Sequence, residues 1–242
     1  MATAVPVREP ETVPRPRIPP LQNGDRLTRA EFERRYDATP GLRKAELIEG
    51  AVFMASPVRD DQHGRQHLDI GTWLGYYGAF TPGVVGGCDS TVRLDLDNEP
   101  QPDAHLRIES TRGGQAKIEE GYVTGAPELA AEVAASSVSY DLHLKLNAYR
   151  RSGVLEYIVW RVLDGQIDWF ALREGRYDQL PPNAAGIVKS QALPGLWLDT
   201  AAMLRGDMAT VIQVLQQGIQ SPEHADFVAR LANATAGPGK QA

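Results

Sequence analysis

The sequence predicts an α/β fold in which helices flank a mixed β-sheet. Helical and strand patterns follow one another in the order helix, strands, helix, strands, which is typical of a sheet covered by helices. A helical stretch after residue 60 carries an apolar stripe suited to face such a sheet, formed by Ile70, Trp73, Leu74 and Tyr77. Apolar runs around residue 165 are joined by the turn pairs Asp164-Gly165 and Glu174-Gly175, which indicates a strand meander.

The first elements of the chain combine an irregular segment, a helix and a hairpin. Residues 1–26 are rich in proline and lack periodicity, so we expect them to be disordered or loosely extended. Thr28 is the expected N-cap of a short helix, and Glu31 completes the capping-box pattern. The stretch KAELIEGAVFMAS predicts a β-hairpin that turns at Glu49-Gly50.

The middle of the chain predicts the striped helix, a series of strands and a further helix. The strand segments are GVVGG, STVRLDL and QPDAHLRI, and STVRLDL alternates cleanly between apolar and polar residues. A glycine-rich, charged loop over residues 111–121 leads to the strand ELAAEVAA. A helix over residues 139–152 then ends at Gly153, a residue suited to the position after a helix.

The last part of the chain predicts the meander VLEYIVWRV, QIDWFALRE and RYDQL, followed by two or three short helices. Ser221-Pro222 is a favourable N-cap and first-turn pair for one of these helices. We therefore expect a main domain over residues 27–198, a helical appendage over residues 199–233 and a frayed tail over residues 234–242.

Composition narrows the class of protein. The chain of 242 residues has a formal net charge of −6, which argues against a protein that coats nucleic acid by bulk electrostatics. Cys88 is the single cysteine, so an internal disulfide and a four-cysteine zinc site are excluded. No apolar run approaches the length of a membrane span, and the N-terminal segment lacks the continuous apolar core of a signal peptide. We expect a cytoplasmic protein with no membrane partner.

Two strands that look built for burial each carry one acid. Strand alternation puts Asp103 on the opposite face from Ala104, and Glu132 on a face that otherwise holds Ala130 and Ala134. An unpaired buried carboxylate is costly, so a buried acid should have a partner, a metal ion or water. The alternative is that both acids face solvent or pair with nearby arginines. If the two acids converge, they form an oxygen-rich site suited to Mg²⁺ or Mn²⁺.

Lys145 borders the buried face of the helix that follows Glu132. It stands next to Leu146 and three residues after Leu142, both on the apolar stripe of that helix. The helix could therefore return the ammonium group toward the strand that carries Glu132. The alternative is an exposed pair with Asp141 four residues earlier, a contact that adds only a few tenths of a kcal/mol.

Several segments occur in the order seen in one protein family: AELIEG, SPVRDDQH, QPD, GAPELAAEVAASS, YDLHLKLNAYRRSGVLEYIVW and DGQIDWFALREGRY. In this ordered set, which covers about residues 28–196, the chain resembles the Uma-two family. That family is a bacterial group of restriction endonuclease-like proteins within the PD-(D/E)XK nuclease superfamily. The resemblance implies the PD-(D/E)XK nuclease-like fold, a mixed β-sheet core flanked by helices.

The resemblance also implies roles for individual residues. Asp103 matches the PD aspartate and Glu132 the acid of the second motif, both of them metal ligands. The superfamily lysine usually stands two residues after that acid, where this chain has Ala134, whose backbone carbonyl is a further candidate ligand. The family lysine matches Lys145 on the following helix instead, with Asp141 four residues before it.

Other matches and departures concern residues around this site. Glu46 in AELIEG and His63 in SPVRDDQH match family positions that line the site, although His63 could equally cap a helix or pack in a core. The strand after the PD pair is usually apolar in the family, whereas this chain has His105 and Arg107. Either residue could tune contact with a substrate or mark a divergent member.

The function implied is that of a Mg²⁺-dependent DNA endonuclease, with Mn²⁺ as a possible substitute, acting as a homodimer. A local basic rim would have to contact the phosphates despite the net charge. Its main candidates are Arg65, Arg107 and Arg150, and further ones are Arg59, Arg112, Lys117 and Arg151.

Two other functions stay open at the level of the sequence. A weakly active or inactive member of the family would act as a binding or assembly module. A different metal-dependent hydrolase would use His63, His67 and His105 around zinc or manganese, since His63 and His67 have a helical spacing that can chelate.

Overall fold

A mixed β-sheet forms the centre of the structure, a computed structural model that describes residues 18–42, 44–54 and 59–234. The strands are β1 (Ala45–Ile48), β2 (Ala51–Met54), β3 (Val84–Cys88), β4 (Val92–Arg93), β5 (Ala104–Ile108), β6 (Lys117–Glu119), β7 (Tyr122–Thr124), β8 (Leu129–Ala134), β9 (Glu156–Arg161), β10 (Gln166–Arg173), β11 (Arg176–Gln179), β12 (Ile187–Lys189) and β13 (Trp197–Asp199). The α-helices are α1 (Arg29–Asp37), α2 (Arg65–Ala79), α3 (Val138–Tyr140), α4 (Leu146–Ser152), α5 (Thr200–Leu204), α6 (Met208–Ile219) and α7 (Pro222–Asn233).

The central sheet has the strand order β11-β10-β9-β8-β5-β3. β8 and β9 pair in parallel, and the other neighbouring pairs of this sheet are antiparallel. The parallel pair requires a crossover, which α3 and α4 supply. The sheet is therefore mixed, and the α/β fold class predicted from the sequence is confirmed.

One face of the sheet is covered by α2 and the C-terminal helices. The predicted stripe of α2 is buried, and its Trp73 ring packs edge-on against Trp169 of β10 with 5.6 Å between ring centroids. Phe227 and Leu231 of α7 belong to the same cluster of buried side chains. The C-terminal helices are thus part of the main core rather than a separate cluster.

The opposite face carries α4 close to β8. Tyr149 of α4 packs against a cluster that includes Ala130, Ala134 and Tyr157. Alanines on both sides of Glu132 leave room for the helix, because a larger side chain there would hold α4 further away. This close approach positions the helix preceding Tyr149 above Glu132.

Smaller elements stand beside the central sheet. The β1–β2 hairpin turns at Glu49-Gly50 as predicted and packs with Phe32 of α1. A small sheet of β4, β7 and β6 lies over its own buried cluster. Two single π-helical turns, Asp60–Gly64 and Asp141–Lys145, precede α2 and α4.

Some predicted elements differ from the structure. STVRLDL yields only the two-residue strand β4, because the Asp95 side chain accepts hydrogen bonds from the Asp97 N–H and the Asn98 amide and closes a turn there. Glu31 forms no capping box, since its carboxylate binds Arg34 and Arg35 instead.

Other differences concern the segments predicted as irregular. The predicted loop over residues 111–121 contains β6, and the β12–β13 hairpin was not predicted. Of residues 1–26, predicted to be disordered, 1–17 lie outside the described residues. Residues 18–26 pack on the hairpin through the bond from the Gly24 N–H to the Val52 carbonyl. Of the predicted tail over residues 234–242, residues 235–242 lie outside the described residues.

Within the described ranges, no helix combines the length and apolar character needed to cross a membrane.

Candidate active site

Asp103 directly precedes β5, and Glu132 lies on the neighbouring strand β8 of the central sheet. β5 and β8 pair antiparallel with Ala104 opposite Ala131, so one further step of the same register places Asp103 opposite Glu132. Residues directly opposite in a sheet project from the same face. The Asp103 carboxylate also accepts a hydrogen bond from the Val133 N–H at 2.7 Å, which joins the two strands beside Glu132. Both side chains are buried.

Lys145 is buried among carboxylates. Its ammonium nitrogen lies 2.8 Å from Glu132 Oε1, 2.9 Å from Glu46 Oε1 and 3.8 Å from Asp141 Oδ1. Lys145 is only 3% exposed, and its two shorter contacts are to Glu46 on β1 and Glu132 on β8. The sequence alternative of a solvent-exposed pair with Asp141 is therefore wrong, because that pair is buried. The helix returns the lysine to the strand that carries Glu132.

Further hydrogen bonds hold these carboxylates in place. Glu132 Oε1 accepts a bond from the Tyr149 hydroxyl at 3.0 Å, and Glu46 Oε1 accepts one from the Gln101 N–H at 2.7 Å. The Lys145 ammonium also lies 5.3 Å from the centre of the Tyr140 ring, within reach of a cation–π contact. These contacts hold the carboxylates of Glu132 and Glu46 beside the ammonium group.

The two π-helical turns stand at this site. One contains Asp141 and ends at Lys145, and the other contains His63. A π turn has one more residue than an α turn, which rotates the side chains that follow, and such turns are frequent at functional sites. Each turn thus directs a polar side chain of an otherwise apolar helix face toward the sheet.

Burial and the surrounding negative charge together set the protonation of this cluster. Burial raises the pKa of the Glu132 carboxyl well above its ordinary value, although Lys145 acts to lower it. Burial likewise raises the pKa of the Asp141 carboxyl. Burial acts to lower the pKa of Lys145, but Glu132, Glu46 and Asp141 together raise it well above its ordinary value. The lysine is therefore an ammonium group.

Histidines and a second lysine surround Asp103. His63 donates from Nδ1 to the Val133 carbonyl at 3.0 Å, and its Nε2 lies 3.6 Å from Asp103 Oδ1. The Lys44 ammonium lies 3.5 Å from the same oxygen. The structure thus brings the predicted residue His63 to the site and adds Lys44, which the sequence did not single out.

A group with metal-ligand chemistry also forms around Asp103. His67, Asp89 and Asp103 each offer one ligand atom, and these atoms lie within 4.8 Å of one another. Asp89 was missed from the sequence, because its place beside Asp103 depends on how β3 pairs with β5. His67 was considered only in a set with His63 and His105, whereas His105 packs over Gly87.

The Ala134 carbonyl belongs to the hydrogen-bond ladder of the sheet, where it accepts from the Val162 N–H at 2.9 Å. A metal role for Ala134 would have to use the second lone pair of this oxygen. The Val133 carbonyl of the same strand instead accepts a hydrogen bond from His63.

The predicted phosphate contacts lie in different surroundings. Arg65 is exposed at the first residue of α2, and Arg107 is half-buried on β5. Arg150 donates to the Gly175 carbonyl at 2.8 Å, and Arg112 donates to carbonyls at the end of α7. Of the others, Arg59 is exposed just before the first π turn, Arg151 pairs with Glu49 and Lys117 pairs with Glu119.

The donor set fits a hard divalent cation. Five carboxylates contact the two lysines of the cluster, namely Glu46, Asp89, Asp103, Glu132 and Asp141. Five negative and two positive charges leave three negative charges unbalanced when all groups are ionised. Carboxylate oxygens are the preferred ligands of Mg²⁺ and Mn²⁺, and such an ion would offset most of this excess.

Comparisons with known proteins bear on the family and the fold of the chain. A family model, Uma2, described as "Putative restriction endonuclease", matches residues 29–201. A crystal structure described as a "putative nuclease belonging to DUF820" from Anabaena variabilis matches with a TM-score of 0.52 and 13% sequence identity, covering 74% of this chain and 99% of that chain. This similarity shows a shared fold. None of the curated proteins matches the chain.

Proposed function

This chain belongs to the Uma2 family of restriction endonuclease-like proteins, and we propose that it is a metal-dependent endonuclease that hydrolyses phosphodiester bonds in DNA. The observation that carries the proposal is the buried Lys145, held 2.8 Å from Glu132 on the strand beside Asp103. Burying a lysine and several carboxylates costs free energy that a purely structural core avoids with apolar side chains. Such a cluster is typical of a reaction site.

Asp103 and Glu132 are the metal ligands in this proposal, with Mg²⁺ as the metal and Mn²⁺ as a substitute. A divalent ion bound there supplies an activated water molecule and offsets charge on the phosphate. Lys145 orients the attacking water and stabilises the negative charge that develops on the phosphate oxygens. Glu46 and Asp141 hold the ammonium group in position through their contacts with it.

DNA approaches the site past a small number of cations. Arg59 and Arg65 flank the π turn that carries His63, and both are exposed, although Arg65 lies 3.9 Å from Asp69 and beside Gly206. Arg107, two residues along β5 from His105, is the third candidate for phosphate contact, while Arg150 and Arg112 are occupied by carbonyls. Cleavage of both strands calls for two such sites, so the proposal includes a homodimer.

Cleavage of supercoiled plasmid tests the function directly. We expect nicking that requires Mg²⁺ or Mn²⁺, is lost in Asp103→Asn, and falls about 10²- to 10³-fold in Lys145→Met because a preorganised cation is removed. Asp178→Asn and Lys189→Met are the matched controls, since both residues are exposed on strands at a distance from the cluster.

The pattern of losses separates the alternatives. Nicking that survives in Lys145→Met but not in Asp103→Asn would keep the metal site and reject the helix lysine. A wild-type protein that binds Mn²⁺ without nicking any plasmid would contradict the nuclease and favour a binding module. Light scattering on the purified protein measures whether it is the expected dimer.

A further inference from the structure

Lys44 contacts the site although the proposed mechanism does not use it. Its ammonium nitrogen lies 3.4 Å from Asp89 Oδ1 and 3.5 Å from Asp103 Oδ1. Both distances exceed the roughly 2.7–2.9 Å of a strong charge-assisted hydrogen bond. The ammonium group therefore bridges two carboxylates without a close bond to either of them.

The Asp103 oxygen that faces Lys44 comes from a buried and fixed side chain. Asp103 is 3% exposed, and its Oδ2 is held by the Val133 N–H at 2.7 Å. Its Oδ1 is directed at two cationic or proton-bearing groups, Lys44 at 3.5 Å and His63 Nε2 at 3.6 Å. Because neither contact is a close hydrogen bond, this oxygen keeps lone pairs that a small cation can bind.

His67 completes a set of ligands around this position. Its Nε2 lies 3.6 Å from Asp89 Oδ2 and donates to the Asp103 carbonyl at 2.8 Å. The ligand atoms of His67, Asp89 and Asp103 lie within 4.8 Å of one another, slightly more than the about 4 Å between opposite ligands of a Mg²⁺ ion. A small inward movement would bring all three to bonding distance.

We propose that His67, Asp89 and Asp103 form a divalent metal position that Lys44 occupies with its ammonium group, so that Lys44 competes with the metal and weakens its binding. Asp103 then belongs both to this position and to the pair with Glu132. When the ion binds, Lys44 moves toward solvent past Asp89, whose side chain is 53% exposed. The His67 bond to the Asp103 carbonyl is exchanged for a bond to the ion.

The ligand chemistry indicates which ion this position prefers. Carboxylates suit Mg²⁺ and Mn²⁺ alike, but an imidazole ligand favours transition metals over Mg²⁺. The position should therefore bind Mn²⁺ more tightly than Mg²⁺, and His67→Ala should reduce that preference. The choice of a divalent ion rests on the proposed function. The ligand set and the competition by Lys44 do not depend on DNA cleavage.

Titration of the full chain with Mn²⁺, followed by electron paramagnetic resonance of the free ion, tests the competition. We expect Lys44→Met to bind Mn²⁺ about tenfold more tightly, because the ion no longer has to displace a positive charge from its position. Asp89→Asn should bind Mn²⁺ about tenfold more weakly, because one carboxylate ligand is lost. The double variant Lys44→Met/Asp89→Asn should lack the tighter binding expected of Lys44→Met. Lys189→Met is the control for loss of a lysine, and Lys44→Gln replaces Lys44→Met if the latter fails to fold.

The outcomes separate this inference from the nuclease proposal. Unchanged or weaker Mn²⁺ binding in Lys44→Met and Lys44→Gln would overturn the competition, even if the wild type cuts plasmid. Unchanged binding in Asp89→Asn would overturn the ligand set. Tighter Mn²⁺ binding in the Lys44 variants, with no plasmid cleavage by the wild type or any variant, would support the metal position. It would contradict only the nuclease proposal.

Discussion

At the scale of single residues, Lys145 links the stability of the fold to the proposed active site. Replacing it by methionine leaves the carboxylates of Glu132 and Glu46 buried without their cation. Removing one partner of a buried ion pair typically costs about 3–5 kcal/mol. We expect Lys145→Met to lower the free energy of unfolding in urea by this order.

Added metal should distinguish a reaction site from a structural ion pair. If a divalent ion binds beside Glu132, Mn²⁺ should recover part of the stability lost in Lys145→Met, because it supplies the missing positive charge. Lys189→Met should lose no more than about 1 kcal/mol, the value of an exposed cation–π contact such as the one it makes with Trp197. A Lys145→Met protein as stable as the wild type would contradict the buried cluster.

Glu99 should make stability depend on pH. Burial and the neighbouring Glu33 raise the pKa of Glu99 to about 8, from an ordinary value of 4.5. The folded protein then holds a proton that the unfolded chain releases. The contribution of Glu99 is therefore complete below pH 4.5 and lost as pH rises to about 8.

The variant Glu99→Gln isolates this effect. Glutamine stays neutral, so the stability of the variant relative to wild type should rise between pH 5 and 8, by at most about 1.4 kcal/mol per pH unit for one proton. Urea unfolding at four pH values measures the difference. Glu174→Gln, at an exposed turn, should run parallel to wild type, and a parallel course for Glu99→Gln would refute the assignment.

Alternation along the strands was enough to predict the face of Asp103 and Glu132, because a side-chain period of two depends on local backbone alone. Asp89 could not be found this way. Its contact with Lys44 joins residues 45 positions apart and depends on the pairing of β3 with β5. Residues that reach a site through tertiary pairing leave no periodic signal in a single sequence.

At the scale of elements, Gly153 fixes the end of the helix that follows Lys145. Its φ of +87° lies in the left-handed region, and a side chain placed there would meet nothing within 4 Å. Gly153→Ala should therefore cost about 1 kcal/mol through backbone strain alone.

Gly75 is the matched control, since a side chain in its place on α2 also meets nothing within 4 Å, but its backbone is helical. Gly75→Ala should stabilise the protein by about 0.5–1 kcal/mol because alanine favours a helix. Thermal unfolding of both variants measures the two opposite shifts. A loss of stability in Gly75→Ala would show that α2 needs a glycine for a reason other than backbone conformation.

Long elements with strong periodicity were predictable, and short ones were not. The stripe of α2 and the meander β9–β10–β11 follow from residues close in sequence. STVRLDL has the pattern of a strand, yet the Asp95 side chain competes for the backbone and forms a turn. Such local competition is decided by tertiary context, as the bond from the Glu49 N–H to the Asn98 side-chain oxygen illustrates.

At the scale of the whole molecule, one buried cluster joins the central sheet to the C-terminal helices. It includes Trp73 of α2, Trp169 of β10 and Phe227 of α7. The C-terminal helix α7 is tied to the middle of the chain further by Arg112, which donates to the Leu231 carbonyl, and by the Thr81 hydroxyl, which lies 3.0 Å from His224 Nε2. A helical region joined in this way should unfold with the sheet.

Phe227→Ala measures this coupling. Phe227 is 5% exposed, and truncating a core phenylalanine typically costs about 3–5 kcal/mol. Because α7 shares its core with the sheet, the loss should shift a single cooperative transition, seen alike by tryptophan fluorescence and by circular dichroism. Asp226→Ala, at an exposed position of the same helix, should change stability by no more than about 0.5 kcal/mol. The opposite result would be a separate early transition in circular dichroism with tryptophan fluorescence unchanged. It would show that the C-terminal helices are an independent unit, because the core around Trp73 and Trp169 would then be stable without them.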